Sequence, residues 1–490
     1  MAEQEGGAMG TAFDVVVVGA GYGGVTGAAL LAERGRRVLV VDKNPQPGGK
    51  AMSLRRGGST YEMWPIVGGP ATGSRIEELM AVIGAGEDVP MVTPERTGEL
   101  RFIDADGSVF ATPLGALPSS AFAAPDHPEV GQPELEAAIE MAGAMLAATD
   151  EELAALDATD IASWMGRFGI GRVLNAHQMA ILNLLFVAGV DRIPASEAIR
   201  TLRDFTLKGA GRYHAGGYAR PAEVAVEYVA AHGGEYRPRT SVERIVVDGR
   251  RVTGVVVDGE LIRAHAVVSN AGIQPTVLDL VGTEHFPGEY VERVRGLEPS
   301  WAFVGARYFL DAPVVDVPMV VQFSDQSWWT DDRFRSAEAG RWPDHPLLFT
   351  VVPSLYDASL APDADHQVVL AGTMSSPDPQ SPMGAEAIRR VDAEMRWTWP
   401  DTRGHIVKRE TFTAANVSAA TRASVMGGQG GECIGIAQVI GQCGSSKPDA
   451  VAPLEGLFFV GCDAGGYGCG THQAVESGFV VADLVDAALG

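Results

Sequence analysis

Cysteine is scarce in this chain: four residues in 490, at positions 433, 443, 462 and 469, with no C-x-x-C pair among them. Zinc sites built on such pairs are thereby excluded, so no metal is expected, and a chain of this length does not rely on a disulfide framework. Positive charge is also short. Against 62 Asp and Glu stand 38 Lys and Arg, a net charge of −24, which argues against nucleic acid as a partner and against charge-driven docking on anionic lipid. Long apolar runs are missing too. The longest, MAILNLLFVAGV from Met179 to Val190, contains Asn183 and is too short to cross a bilayer. It reads as a packed core helix, and no integral membrane segment is expected. The first residues, MAEQEGGAMGTAF, lack the basic and apolar regions of a signal peptide, so a cytoplasmic location is expected.

Glycine, in contrast, is plentiful, at 60 residues. Such a content produces about one G-x-G-x-x-G triplet per chain by chance, so the triplet Gly19, Gly21, Gly24 gains its meaning from context. A buried-type strand, Val15 to Val18, precedes it. A helical run from Gly24 to Arg34 follows, and then a second strand from Arg37 to Val41 ends at Asp42. In such a unit the first Gly permits the turn, the second lets a pyrophosphate approach the backbone, and the third lets helix and strand pack. The helix start faces the phosphates, and Asp42 can accept hydrogen bonds from a ribose diol. Further along, Pro221 to Ala231 reads as a helix. Strands at Val242–Val247, Val252–Val257 and Leu261–Val268 are joined by Asp248-Gly249 and Asp258-Gly259 turns, an antiparallel meander. Near the C-terminus, strand Leu457–Val460 runs into GCDAGGYGCGTHQAVESG, with a helix starting around Thr471 to Ala474.

These motifs resemble those of the phytoene desaturase-like branch of the flavin amine oxidase superfamily. The resemblance rests on NPQPGGKA after Asp42, with Gly48, Gly49 and Lys50; on Tyr213, Gly216 and Gly217; on AVVSNAG at 266–272; and on Gly461 and Asp463. It implies FAD as cofactor and an α/β fold, in which a discontinuous Rossmann-like FAD-binding domain (12–75, 213–285 and 440–490) carries an inserted α+β substrate domain (76–212 and 286–439). It also implies that Lys50 meets the pyrophosphate, the Val242 backbone holds the adenine, and Asp463 binds the ribityl–phosphate part. Thr471, His472, Gln473 and Ala474, at the start of the last helix, would face the pyrimidine edge of the ring. The family commonly has an aromatic–Asp–x–Gly segment after the basic residue; the chain departs from it where STYEMWPIVGG offers Tyr61, Glu62 and Trp64 and lacks that Gly. The loop GGQGGECIG, 427–435, takes the position of the family loop that approaches the ring.

The activity implied is dehydrogenation of a C–C bond in an apolar, isoprenoid or alicyclic small molecule, with hydride passing to the flavin. Amine oxidation, and saturation or isomerisation of a polyene, are alternatives on the same scaffold. A non-enzymatic prenyl-binding protein, as in the Rab GDP-dissociation inhibitors, is a further one, disfavoured by the retained Gly residues, Asp42, Lys50 and Asp463. Candidate proton acceptors are His472, Glu432 and Tyr213. Cys469 is a candidate for covalent attachment to the ring. No second dinucleotide motif occurs, so electrons are expected to pass to O2, a quinone or another acceptor. Trp328, Trp329, Trp397 and Trp399 fall in the expected substrate domain, as pocket or core. The oligomeric state is open.

Overall fold

The protein is described here by a computed structural model covering residues 13–68, 72–114, 124–209, 211–422 and 430–490. Val15–Val18 are buried on both faces, as an interior parallel strand requires. The strand Phe13–Val18 pairs in parallel with Val38–Val41 on one side and with Glu260–Ser269 on the other, Val15 lying opposite Val38 and Ala266. Glu260–Ser269 changes partners midway. Its first part pairs antiparallel with Arg251–Val257, and its last three residues pair in parallel with Leu457–Phe459. Glu235–Arg237 and Val242–Asp248 lie at the two ends, completing a seven-stranded sheet. The fold is therefore α/β and Rossmann-like, with the meander grafted onto its parallel core.

A second seven-stranded sheet runs in the order Ile406–Phe412, Ala302–Leu310, Gln367–Ser375, Leu348–Val351, Met319–Ser324, Gly98–Ile103, Val109–Leu114. One pair in it, Met319–Ser324 with Gly98–Ile103, is parallel. Helices between Gln132 and Lys208 surround a separate core around Trp164, Met179, Phe186 and Leu202. This α+β part carries the tryptophans named above, and all but Trp397 pack as structure. Trp329 is buried edge-on against Trp342 and Phe334, Trp399 is buried under Arg101, Trp328 lies under Arg333, and Trp397 is exposed.

Element ends differ from expectation by one to four residues. The first helix is Tyr22–Glu33, starting before Gly24, and the last is Gly470–Leu489. The apolar run at 179–190 is helical only to Phe186, because Val187 turns left-handed (φ 49°, ψ 49°) and caps the helix Arg172–Phe186. Residues 427–429 of the Gly-rich loop, and the N-terminal twelve, lie outside the described residues. Among the described residues no helix is long and apolar enough to cross a membrane.

The first and last helices lie against each other through small residues. A Cβ on Gly478 would stand 2.5 Å from Thr26 Cβ, and one on Gly23 would stand 2.7 Å from the Gly461 nitrogen. Gly143, inside the helix Gln132–Ala147, has nothing within 4 Å of such a Cβ. Two Gly→Ala changes should therefore have opposite signs. Gly143→Ala should stabilise by up to about 1 kcal/mol through helix propensity, whereas Gly478→Ala should destabilise by about 1–3 kcal/mol through overpacking. Denaturant titration of both variants checks the sign.

Candidate functional site

At the C-terminal ends of the first sheet's parallel strands, Gly19 (φ +98°) makes the turn into the first helix, and Gly21 is its N-cap. The N-cap supplies no side-chain hydrogen bond, and no acidic residue stands in the first turn. The N–H groups there are thus free to meet an anion. The buried Asp42 accepts from Ala20 N–H at 2.6 Å and Asn44 N–H at 2.7 Å. Burial raises its pKa above the ordinary value, against the pull of those hydrogen bonds. Gly48 N–H donates to Ala20 O at 2.8 Å, which lays the second Gly pair beside the first. The Asn270 side-chain amide, oriented to match its partners, accepts from Gly21 N–H (3.1 Å) and donates to Val460 O (3.2 Å). It ties the first turn to the end of the last strand.

The C-terminal motif enters from the other side. Gly461 (φ +105°) follows strand Leu457–Phe459 and Val460, and Asp463 is buried. Asp463 accepts from Ile273 and Ile436 N–H, both at 3.0 Å, and from the Arg422 guanidinium at 2.7 Å. Arg422 also reaches Glu432 at 3.2 Å, and Glu432 receives Lys50 Nζ at 3.0 Å. For Glu432 burial pushes the pKa up, but Lys50 and then Arg422 outweigh it and hold the carboxyl below its usual range. Burial likewise acts on Asp463 and is overcome by Arg422 and the two backbone donors. The last helix begins at Gly470 behind Cys469, again with no side-chain cap and no acidic residue in its first turn.

Both helix starts open onto one cleft of about 480 Å³. Asp42, Lys50, Val242, Arg422 and Asp463 line its polar part. Trp64, Ile66, Leu184, Val187, Phe303 and Phe349 are among the residues of its apolar part. Three thiols, Cys433, Cys462 and Cys469, also line it, and burial pushes them up to about 12, 11 and 12, so they stay neutral. The Thr471 hydroxyl lies on the cleft, 3.1 Å from Tyr218 OH. Val187, whose left-handed backbone is costly for a β-branched residue, points into the apolar part.

Of the expected cofactor-binding residues, Gly19, Gly21, Asp42, Gly48, Gly49, Lys50, Val242, Gly461, Asp463, Thr471 and Ala474 line the cleft. Gly24 lies behind it, where a Cβ would collide with Gly19 O. Gln473 is fully buried and bonded to Gln438. The three candidate proton acceptors are not on the cleft wall. Tyr213 is buried, stacks on Tyr356 and donates its hydroxyl to Glu62. Glu432 is occupied by Lys50 and Arg422. His472 turns to a separate cavity with Asp204, its pKa lowered by burial. Two residues that the motifs do not mark, Asn270 and Arg422, hold the site together. Asn270 sat inside the recognised AVVSNAG segment, whereas Arg422 belongs to no local pattern.

The profile of the flavin containing amine oxidoreductase family matches residues 22–297. The chain is 26% identical over 381 residues to a zeta-carotene-forming phytoene desaturase of Myxococcus xanthus, covering 71% of this chain and 70% of that protein. To a 4,4'-diapolycopene oxygenase of Methylomonas sp it is 24% identical over 507 residues, covering 97% and 98%. Among solved structures, an oxidoreductase from Methanosarcina mazei superposes with a TM-score of 0.73 at 17% identity, over 96% of this chain and 99% of that one.

Glu62 anchors the wall segment that follows it, Trp64–Val67. It accepts from Ser53 OH and Tyr218 N–H, both at 3.0 Å, and from Tyr213 OH. Burial outweighs these bonds and pushes its pKa to about 7 from an ordinary 4.5. The folded carboxyl keeps its proton in that window while the unfolded one loses it, so stability falls as pH rises from about 4.5 to about 7. At about 1.36 kcal/mol per unit, the loss is about 3 kcal/mol. Glu62→Gln should flatten this slope, which denaturation followed from pH 4.5 to 8 measures.

Proposed function

The chain belongs to the flavin containing amine oxidoreductase family, and from that premise we propose that it is an FAD-dependent dehydrogenase acting on a C–C bond of an apolar, isoprenoid-like substrate. The observation that carries this reading is the cleft itself. Two uncapped helix starts and Asp42 meet at its polar part, while its other part is lined by apolar and aromatic side chains.

A flavin dinucleotide fits these residues. The N–H groups behind Gly21 suit a pyrophosphate, Asp42 a ribose diol, and the Val242 edge an adenine. Asp463 and Lys50 face the remaining polar part, and the start of the last helix offers partial positive charge to the ring's pyrimidine edge. We assign residues 12–75, 213–285 and 440–490 to the flavin-holding unit, and 76–212 and 286–439 to the substrate unit. In support, the first sheet draws its strands only from the former and the second sheet only from the latter.

When bound, the cofactor supplies a two-electron acceptor. The chain's part is to hold substrate against it and to exclude water: Trp64, Phe303 and Phe349 press on an apolar substrate. Of the acids that line the cleft, Asp42 and Asp463 belong to its polar, cofactor-holding part. Tyr213 and Glu62 position the Trp64–Val67 wall, and Glu432 orders Lys50 and Arg422. The Thr471 and Tyr218 hydroxyls, 3.1 Å apart, stay neutral like the three thiols, so we assign them to binding and orientation rather than to taking the proton. Four free cysteines suit the reducing cytoplasm, where we place the protein. The desaturase relative in Myxococcus xanthus supports the substrate class. Amine oxidation is the second reading. It is favoured by the family.

Two measurements test this. Anaerobic titration of the FAD-loaded protein with acyclic polyenes and with primary amines should bleach the oxidised flavin spectrum with a polyene; bleaching by amines alone would move the assignment to amine oxidation. Asp42→Ala should weaken FAD binding about ten- to a hundredfold, the range for a hydrogen bond to a charged group, as read by flavin retention on dialysis.

A further inference from the structure

A second cavity, of about 260 Å³, lies between the helix Ala195–Lys208 and the segment from Tyr467 to Glu476. Phe205 and Cys469 line both this cavity and the main cleft, so the two spaces share a wall. Its chemistry differs from that of the apolar cleft. Arg200, Thr201, Arg203, Asp204, His472 and Glu476 contribute to its lining.

The charges there do not cancel within the cavity. Asp204 is paired with Lys208 at 3.2 Å, and Glu476 with Arg75, so cations outside the lining neutralise both acids. The Arg203 guanidinium is spent on the carbonyls of Met145 and Ala148. Arg200 remains. It stacks on Tyr467, and its ion partner Asp150, 3.6 Å away, is 94% exposed, a pairing of little strength. Beside it, Thr201 is 4% exposed, and its buried hydroxyl has no partner. Neither has the buried His472 Nδ1. Orphaned polar atoms in a buried site call for a ligand or water.

We propose that this cavity receives the oxygen-bearing end of the substrate, a carboxylate or carbonyl, while its apolar chain passes Phe205 and Cys469 into the cleft. Arg200 and the Thr201 hydroxyl donate to that oxygen. This rests on the apolar-substrate reading above and narrows it: the substrate is an isoprenoid with a polar terminus, and a pure hydrocarbon fills only the cleft. A few polar groups at one end of an apolar pocket fix orientation, and so decide which bond of a long repetitive chain lies at the reacting position.

The test uses the FAD-loaded protein and a matched pair of C20 polyenes, retinoic acid and its hydrocarbon counterpart axerophthene, with binding read from quenching of tryptophan fluorescence. Retinoic acid should bind about tenfold tighter or more, as a charge-assisted hydrogen bond implies. Arg200→Ala and, separately, the near-isosteric Thr201→Val should each reduce that advantage and leave axerophthene affinity unchanged. Flavin content of each variant shows that it has folded. Equal affinity for the two polyenes in the parent protein, or an advantage that survives both substitutions, overturns the inference and leaves the apolar-substrate reading standing. Failure of both polyenes to bind overturns the two together.

Discussion

The first helix and the exit of the last strand touch backbone to backbone. A side chain on Gly23 would occupy the space of the Gly461 nitrogen, and one on Gly461 would meet Asn270 at 2.7 Å. This contact between distant parts of the chain sets where both helix starts point. Each leaves first-turn N–H groups without side-chain caps, and the partial positive charge of each falls in one cleft. Asn270 spans the same junction by bonding both Gly21 and Val460. The site is thus produced by close packing of bare backbone rather than by any one reactive side chain.

Around that junction lies a buried, balanced set of charges. Lys50 and Arg422 face Glu432 and Asp463, and each acid touches Arg422. Desolvation makes such a set costly, and what offsets it is the completeness of the pairing. The residues come from four separate segments, so the pairing also fixes how those segments stand relative to one another. The Lys50 ammonium bonds both the carboxylate and the backbone carbonyl of Glu432, which holds the GGK turn against the second half of the Gly-rich loop.

Much of the flavin-holding half was legible because its signals are local. A strand of valines, a Gly-spaced turn and an acidic strand end lie within thirty residues, and the Asp-Gly turns announce the meander at 242–269. The positions that escaped are those set by long-range geometry. Tyr213 finds Glu62 across 151 residues, and Arg422 finds Asp463 from outside any motif. His472 escaped for a helical reason. Successive residues turn by about 100°, so Thr471 and Ala474 share the face on the cleft while His472 and Glu476 share the face on the second cavity. Reading 471–474 as one block hid that split. The pocket aromatics escaped as well, because Trp64, Phe303 and Phe349 carry no spacing that separates them from core residues such as Trp329.

The strand that changes partners midway, Glu260–Ser269, bears on how the protein is made. Its final residues are flanked on one side by Phe13–Val18, already synthesised, and on the other by Leu457–Phe459, still to come. On a ribosome adding about 5–20 residues per second, the wait is on the order of tens of seconds. During that interval one edge of a valine-rich sheet and one flank of the first helix are bare. Such a nascent intermediate exposes an edge able to pair with other chains, so closure by the last strand and helix ends its exposure to aggregation at the same moment that it completes the cleft.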